Sequence, residues 1–177
     1  PIAALALIAA IFVVVAKCLD VEEAYEAIEW KLLFIIFGML ALGSAMETTG
    51  AAHLLATGVT GAVGQFGPFA TLSVMYLVAM ILTEMISNNA VAVLLTPIAF
   101  EIAATMGVDA RPFAVAVMFG CSASFATPIG YQTNTYVFGA GGYRFMDFPR
   151  VGAPLNLILW VTASLLIPHF WPFIAKP

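Results

Sequence analysis

Residues 81–93 read ILTEMISNNAVAV, so that the polar triplet SNN at 87–89 interrupts an otherwise apolar run. The apolar arms on its two sides cover residues 70–86 and 90–106. Because only three residues separate the arms, they must run antiparallel as a helical hairpin. Each arm is about 25 Å long at 1.5 Å per residue. This length fits two tight membrane spans or a re-entrant hairpin whose tip stops near the bilayer midplane, and a simple turn at the water surface is the third reading.

A second polar break lies at residues 127–134, which read TPIGYQTN. Pro128 removes a helix donor and restricts the residue before it, so a helix arriving here must stop. The pattern predicts a discontinuous spanning helix over residues 112–138 that resumes only as a stub at 136–138. Unpaired backbone groups in hydrocarbon cost several kcal/mol each, so breaks persist where they face protein or a water-filled cavity. Two breaks that meet at mid-depth are typical of a transport site.

The composition places the chain in a membrane. Hydrophobic residues make up 63% of the chain and charged residues 9%, with a mean hydropathy of +1.04. Soluble domains carry about 25% charged residues. We therefore expect an integral protein of the cell (inner) membrane, with the lipid bilayer as its solvent. The net charge of −4 without a basic cluster argues against a nucleic-acid partner. Cys18 and Cys121 show no metal-ligand spacing.

The remaining apolar runs predict three further spans, at residues 2–17, 31–47 and 153–171. Acidic residues at 17–29, ending at Glu29, predict a surface helix or loop, and residues 48–66 predict a short interfacial helix with a connector. Aromatic and charged residues at 143–150 predict an interfacial girdle, and Lys176 marks the exit to water. The predicted fold class is all-α integral membrane, with a re-entrant hairpin and a discontinuous helix.

The start of the chain resembles the core of a signal peptide without its flanks. Residues 2–16 are apolar, but no positively charged segment precedes them and no small-residue cleavage site follows. We therefore expect the chain to be a fragment of a longer membrane protein.

The two breaks offer groups for both an anion and a cation. Asn88 and Asn89 carry amide donors and acceptors, and a helix that begins at Ala90 directs its N-terminal N–H groups at the tip. Such a helix start attracts anions. The carbonyls freed between Ala126 and Tyr131 are hard oxygen ligands for a small cation. No Lys or Arg lies near either break, so an anion would be held by dipoles, amides, hydroxyls and a neighbouring cation, as coupled symport requires.

The segments EMISNNA at 84–90, ATPIGYQTN at 126–134 and VFG at 137–139 resemble the divalent anion/sodium symporter family. Members of that family carry sodium together with sulfate or dicarboxylates such as succinate. The resemblance covers nearly the whole chain, as the second of two inverted repeats. It implies that residues 1–177 are the C-terminal membrane repeat, one half of an inverted-repeat ion transporter, and that the N-terminal repeat is a required partner. The resemblance further implies a homodimer, a small anionic substrate and sodium as the coupling ion, with no organic cofactor.

The resemblance also implies three groups of site residues. The implied substrate contacts are Asn88, Asn89, Tyr131 and Gln132. The implied sodium ligands are Ser87, Asn88, Gly130 and Asn134. The implied supporting residues are Glu84, Thr127 and Thr133.

The chain departs from the family pattern at both breaks. Asn89 stands where the family has Thr, and Tyr131-Gln132 stands where it has Thr-Pro, so the floor of the site is bulkier and richer in amides. Dicarboxylate specificity is therefore open, and sulfate or another small oxyanion is the alternative. The sequence of the second break resembles the branch whose two repeats are separated by cytosolic domains of the TrkA C-terminal type.

Two other functions stay open. Glu84 is an ionisable group inside the membrane and a functional candidate by position. It either supports the loop by hydrogen bonding or handles ions, in which case the protein is a proton-coupled exchanger or channel. A membrane enzyme with Ser87 as nucleophile is the last alternative, but no His, Lys or paired carboxylate is placed in sequence to serve as its base. We therefore do not expect an enzyme.

Overall fold

The computed structural model describes residues 2–28 and 30–174. Within this part of the chain every regular element is a helix, and no β-strand is present. Two residues named in the sequence predictions, Glu29 and Lys176, lie outside the described residues. The chain divides into two compact units, Pro1–Gly38 and Met39–Pro177.

The first unit contains α1 (Ile2–Val15), α2 (Val21–Glu26) and the start of α3 (Trp30–Thr48). The apolar helix α1 ends two residues earlier than predicted, because Lys17 has a left-handed φ of 55° and cannot continue it. The acidic segment forms α2. The backbone N–H of Asp20 donates to Glu23 Oε2 at 3.1 Å, a bond typical of a helix start.

In the described residues, the second unit holds the end of α3, six further α-helices and one 3₁₀ turn. These are α4 (Ala51–Val63), a 3₁₀ turn (Gly64–Phe66), α5 (Gly67–Thr83), α6 (Asn88–Met106), α7 (Arg111–Ser122), α8 (Gln132–Ala140) and α9 (Asp147–Phe170). Among the described residues, three helical stretches are long and apolar enough to cross a membrane: His53–Thr83, Asn88–Met106 and Asp147–Phe170. With its hydropathy, this makes the chain part of an integral membrane protein.

The core of the second unit lies where α5, α6 and α7 pack together. Its fully buried side chains include Leu72 and Tyr76 from α5, Ile102 from α6 and Phe113 from α7. Gly120 allows α7 to approach α5 closely. A Cβ at this position would lie 2.8 Å from Ala79 Cβ and 2.9 Å from the Tyr76 carbonyl oxygen, which real side chains do not tolerate.

Polar contacts join two outer helices to this core. His53 Nδ1 of α4 lies 2.8 Å from Glu101 Oε1 of α6. On α9, Trp160 Nε1 donates to the Ser73 carbonyl at 2.9 Å, and Ser164 Oγ donates to Ser73 Oγ at 3.0 Å. The segment predicted as a short interfacial helix and connector thus contains a 13-residue helix, α4, that packs along α6.

The bounds of several helices differ from the bounds predicted for the membrane spans. The hairpin arms run over Gly67–Thr83 and Asn88–Met106 rather than 70–86 and 90–106, so the tip is the segment Glu84–Ser87. The last span begins at Asp147 rather than at residue 153. Its first turn contains Pro149, which suits a helix start because no donor is needed there. Charged and aromatic residues assigned to an interfacial girdle are therefore partly helical.

Candidate functional site

The hairpin tip is a short non-helical segment between two helix ends. α5 stops at Thr83 and α6 begins at Asn88. Ser87 caps α6, since its Oγ accepts a hydrogen bond from the Ala90 backbone N–H at 3.4 Å. Asn88 and Asn89, predicted to lie in the loop, therefore form the first turn of α6 with their side chains at the tip. Glu84, predicted one turn inside the arm, belongs to the tip itself.

The second break is a loop of nine residues, 123–131, between α7 and α8. α7 ends at Ser122, five residues before the start of the predicted break at 127–134. α8 begins at Gln132, with Tyr131 in an extended conformation before it. The predictions placed Gln132 and Asn134 in the loop and the resumed helix near residue 136. Instead these side chains project from the first turn of α8.

Hydrogen bonds join the two breaks into one unit. Thr83 Oγ1 donates to the Cys121 carbonyl at 2.8 Å, and Ser124 Oγ donates to the Thr83 carbonyl at 3.2 Å. Thr127 Oγ1 donates to the Glu84 carbonyl at 2.9 Å. The carbonyls left free by the end of each helix thus find donors on the other break. The structure therefore brings together the two segments that the sequence predicted to meet.

Gly130 is the closest point of contact between loop and tip. A Cβ at this position would collide with Ser124 Oγ and lie 2.9 Å from the Thr83 carbonyl oxygen and 3.1 Å from Thr127 Oγ1. Only a residue without a side chain fits there. Gly130 is buried, and its backbone N–H donates to Thr127 Oγ1 at 3.1 Å.

A cavity of about 470 Å³, which we name the tip cavity, opens between the two breaks. It is lined by Met85, Ile86, Ser87, Asn88, Asn89, Ser122, Ile129, Gly130, Tyr131, Gln132 and Thr135. None of these residues is charged. The first residues of α6 and α8, Asn88 and Gln132, both line it, so two helix N-termini with their partial positive charge open on the same space.

Six predicted site residues line the tip cavity: Ser87, Asn88, Asn89, Gly130, Tyr131 and Gln132. The other predicted residues lie outside its lining. Asn134 Nδ2 donates to the carbonyls of Ser124 at 2.8 Å and Thr127 at 3.1 Å, so its amide holds the loop in shape. Thr133 is exposed on α8. Thr127 and Glu84 lie behind the cavity, in the contact between loop and tip.

The sequence predictions missed residues that act through the tertiary structure. Thr83 is fully buried and contacts both breaks, and Thr135 lines the tip cavity. Asn156 of α9 donates from Nδ2 to Glu84 Oε1 at 2.8 Å. It is a buried asparagine in an apolar 24-residue helix, which by itself is a signal of function in a membrane span.

Helix α9 also touches the loop directly. A Cβ on Gly152, one turn before Asn156, would collide with the Phe125 carbonyl group and lie 2.6 Å from the Ala126 nitrogen. Ala126 N in turn donates to Glu84 Oε1 at 2.8 Å. The Glu84 carboxylate therefore joins the tip, the loop and α9.

Several relatives of this chain are transporters by name. It is 46% identical to an uncharacterized transporter of Synechocystis over 87% of this chain and 25% of that protein. It is 37% identical to an uncharacterized transporter of Escherichia coli, over 95% of this chain and 28% of that protein. It is 30% identical to sodium/sulfate cotransporter 1 of Chlamydomonas reinhardtii, over 93% of this chain and 19% of that protein. The chain thus spans about a quarter of the length of the curated relatives it matches most strongly.

The family comparison agrees with these relatives. Residues 1–120 match the CitMHS family, described as citrate transporter. Together with the sodium/sulfate cotransporters, this match confirms the resemblance to divalent anion/sodium symporters drawn from the two breaks. The assignment to the branch with TrkA C-terminal domains stays a prediction. The chain belongs to the CitMHS citrate transporter family.

Proposed function

We propose that the intact protein is a sodium-coupled symporter of a small divalent anion, and that this chain supplies one of its two half-sites. One observation carries the proposal: the N-termini of α6 and α8 open on a single uncharged, amide-rich cavity. Each helix start carries about half a positive charge, so the cavity favours an anion without containing a cationic side chain.

The anion would be held by neutral donors. Asn89 and Gln132 offer side-chain amides, Tyr131 a hydroxyl, and the first turns of both helices free backbone N–H groups. Neutral donors hold a divalent anion less firmly than Arg or Lys would. A cation bound next to the anion would supply the missing charge, so anion affinity would depend on sodium.

The cation would be held by oxygens from both breaks. We assign Ser87, Asn88 and Gly130 as sodium ligands, because all three border the tip cavity. Asn134 would support the sodium site indirectly. Its Nδ2 donates to the carbonyls of Ser124 and Thr127 and so holds the loop that contains Gly130 in place. Sodium prefers hard oxygen ligands of this kind.

As a sodium ligand, Asn88 would need its amide turned over from the arrangement in the structure, where its Oδ1 lies against Thr83 Oγ1. Thr83 Oγ1 lies 2.6 Å from the Asn88 side-chain amide and 2.8 Å from the Cys121 carbonyl, but a hydroxyl has a single proton. The Cys121 carbonyl can only accept. Both contacts are satisfied together when Asn88 turns its NH₂ group to Thr83, because the oxygen and nitrogen of an amide are assigned from the bonding network. The Asn88 oxygen then faces the cavity as a ligand.

We further propose that α5 and α6 form a re-entrant hairpin, and that α7 and α8 are the halves of one discontinuous helix. α5 has 17 residues and α6 has 19, so at 1.5 Å per residue each is about 25–29 Å long, slightly short of a full bilayer core. The chain would then be the C-terminal repeat of a homodimeric transporter. An inverted N-terminal repeat would supply the opposite wall of the cavity.

Sulfate and dicarboxylates are the substrates to test first. The family is described as citrate transporter. Two Chlamydomonas relatives are named sodium/sulfate cotransporters, and a third is named a probable one. Sulfate and carboxylates both carry their negative charge on oxygen atoms, which can accept hydrogen bonds from the amides and N–H groups of this cavity.

Transport in proteoliposomes tests the proposal. The intact protein is reconstituted, and uptake of radiolabelled sulfate and succinate is measured under an inward sodium gradient or an equal choline gradient. We expect uptake of at least one anion that requires sodium. Uptake that ignores sodium but follows a pH gradient, and changes in Glu84→Gln, would instead support the proton-coupled exchanger.

A further inference from the structure

Two buried oxygens behind the tip cavity have no hydrogen-bond donor among the described residues: Glu84 Oε2 and Asn156 Oδ1. Their side chains are in direct contact, because Asn156 Nδ2 donates to Glu84 Oε1 at 2.8 Å. Asn156 is only 5% exposed. Two acceptor oxygens on adjoining groups are thus removed from solvent without partners.

The orientation of the Asn156 amide follows from this contact. A carboxylate accepts hydrogen bonds, so the atom facing Glu84 Oε1 is the nitrogen. Glu84 Oε1 already accepts from both Asn156 Nδ2 and the Ala126 backbone N–H, each at 2.8 Å. Glu84 Oε2 and Asn156 Oδ1 are therefore the free acceptors of a joined pair, and residues 2–28 and 30–174 provide no donor for either.

Glu84 forms no ion pair in the described part of the chain. The ion pairs there join His53 to Glu101 and Arg111 to Asp109, and neither involves Glu84. A buried carboxylate is costly unless a positive charge or several donors compensate it. Neutral donors reach one of its two oxygens. A cation between Glu84 Oε2 and Asn156 Oδ1 would complete the compensation.

We propose that Glu84 Oε2 and Asn156 Oδ1 form a second sodium site, separate from the ligands at Ser87, Asn88 and Gly130. One carboxylate and one amide oxygen are hard donors, and a single negative charge matches a monovalent ion. The proposal rests on the proposed function and extends it, because it adds a coupling ion held by α9.

The position of this site gives it a role in coupling. Its carboxylate belongs to the tip, bonds the loop through Ala126 and bonds α9 through Asn156. A sodium ion there would tie three segments together, two of which form the tip cavity. Sodium binding behind the cavity would thus hold the anion site in its binding shape.

Glu84→Gln is a sharp test because glutamine can satisfy every bond without a cation. Its oxygen can keep the bonds from Ala126 and Asn156, and its NH₂ group is a donor where the carboxylate had only an acceptor. We expect the variant to fold and to transport one sodium ion fewer per anion than the wild type, with a correspondingly lower order of sodium activation. Reversal-potential measurements on the intact transporter in proteoliposomes count the ions. Glu101→Gln on α6 is the matched control and leaves the count unchanged.

Sodium titration of thermal stability is the second measurement, and it does not depend on transport. The purified intact transporter is heated in increasing sodium chloride, with choline chloride as the ionic-strength control. Glu84→Gln and Asn156→Ala should each lose part of the sodium-dependent stabilisation seen in the wild type and in Glu101→Gln.

Two results would overturn this site. One is an unchanged ion count together with an unchanged sodium titration in Glu84→Gln. The other is an unchanged sodium count with a lost dependence on pH, which would place a proton on Glu84. Failure of the proposed function would look different, because the wild type itself would then show no sodium-driven uptake.

Discussion

Thr83, which the sequence predictions did not single out, joins the two breaks. It is fully buried, its hydroxyl contacts Asn88 and the Cys121 carbonyl, and its own carbonyl accepts from Ser124. A buried carbonyl that loses its donor costs about 1–3 kcal/mol. At this scale, single hydrogen bonds decide whether the tip and the loop stay together.

Asn88→Ala is expected to abolish sodium-dependent transport while the protein stays folded in the membrane. The change removes a proposed sodium ligand and the contact with Thr83 at 2.6 Å. Losing both should weaken sodium binding by about 100-fold, equivalent to about 2.7 kcal/mol. Uptake against sodium concentration, with thermal unfolding as the folding control, measures it. Normal uptake by this variant would remove the hairpin tip from the site.

Thr83→Val should lower the free energy of unfolding by about 1–3 kcal/mol. The substitution keeps the shape of the side chain but leaves the Cys121 carbonyl, at the end of α7, without a donor. Thr71→Val is the matched control, since Thr71 is equally buried but bonds only within its own helix, to Gly67. Thermal unfolding in detergent compares the two. Equal losses in both variants would contradict the role given to Thr83.

At the scale of elements, the contact between loop and tip depends on a position with no side chain. Gly130→Ala should push the loop off the tip and reduce transport by at least about 10-fold, because the added Cβ meets Ser124, Thr83 and Thr127. Gly139→Ala on α8 is the control. Nothing lies within 4 Å of its added Cβ, and alanine favours the helix. Initial uptake rates distinguish the variants, and equal rates would show that the contact is not needed.

The start of α7 gives a prediction about pH, outside the membrane-spanning segments. Asp109 Oδ1 accepts from the Arg111 backbone N–H at 2.9 Å, and this bond, aided by the Arg111 side chain, lowers the pKa of Asp109 below 3.8. A lowered folded-state pKa stabilises the fold above the unfolded value, and this contribution is lost as pH falls through the folded value.

Asp109→Asn should therefore lower the melting temperature slightly and by a constant amount above about pH 4.5, and the difference should shrink below about pH 3.8. Thermal unfolding of the intact protein across this range measures it. Glu22→Gln, at an exposed site of α2, serves as the control. A difference that grows as the pH falls would contradict the sign of the pKa change.

At the scale of the whole molecule, the question is whether the tip faces water inside the transporter. The exposed thiol of Cys18 is first removed by Cys18→Ser. In this background the Met85→Cys variant of the intact protein should react with a charged, membrane-impermeant thiol reagent. Sodium plus sulfate should slow the reaction, because Met85 lines the tip cavity and is 74% exposed in this chain. The control is Leu165→Cys on α9, which is 60% exposed on an apolar surface and should stay unmodified.

Fast reaction at position 85 without any protection by sodium and sulfate would place the tip among lipid headgroups. The re-entrant hairpin would then be wrong, although the hydrogen bonds between tip and loop would stand. This measurement thus separates the depth of the site from its internal geometry.

The sequence by itself determined the features that depend on local composition. Hydropathy indicated the membrane, since apolar runs need lipid or a core wherever they lie. Pro128 and the polar triplet at 87–89 predicted the two breaks, because they act on the backbone next to them. Family membership followed from the same two segments, and residues 1–120 match a transporter family.

Only the tertiary structure decided which groups meet. Asn88 and Gln132, predicted to lie in the loops, lie in the first turns of α6 and α8. The cap formed by Ser87 and the extended conformation of Tyr131 set where these helices begin. The tertiary structure paired Glu84 with Ala126, 42 residues away, and with Asn156, 72 residues away. Contacts over such separations depend on how the helices pack, including the close approaches at Gly130 and Gly152. They cannot be predicted from a local sequence pattern.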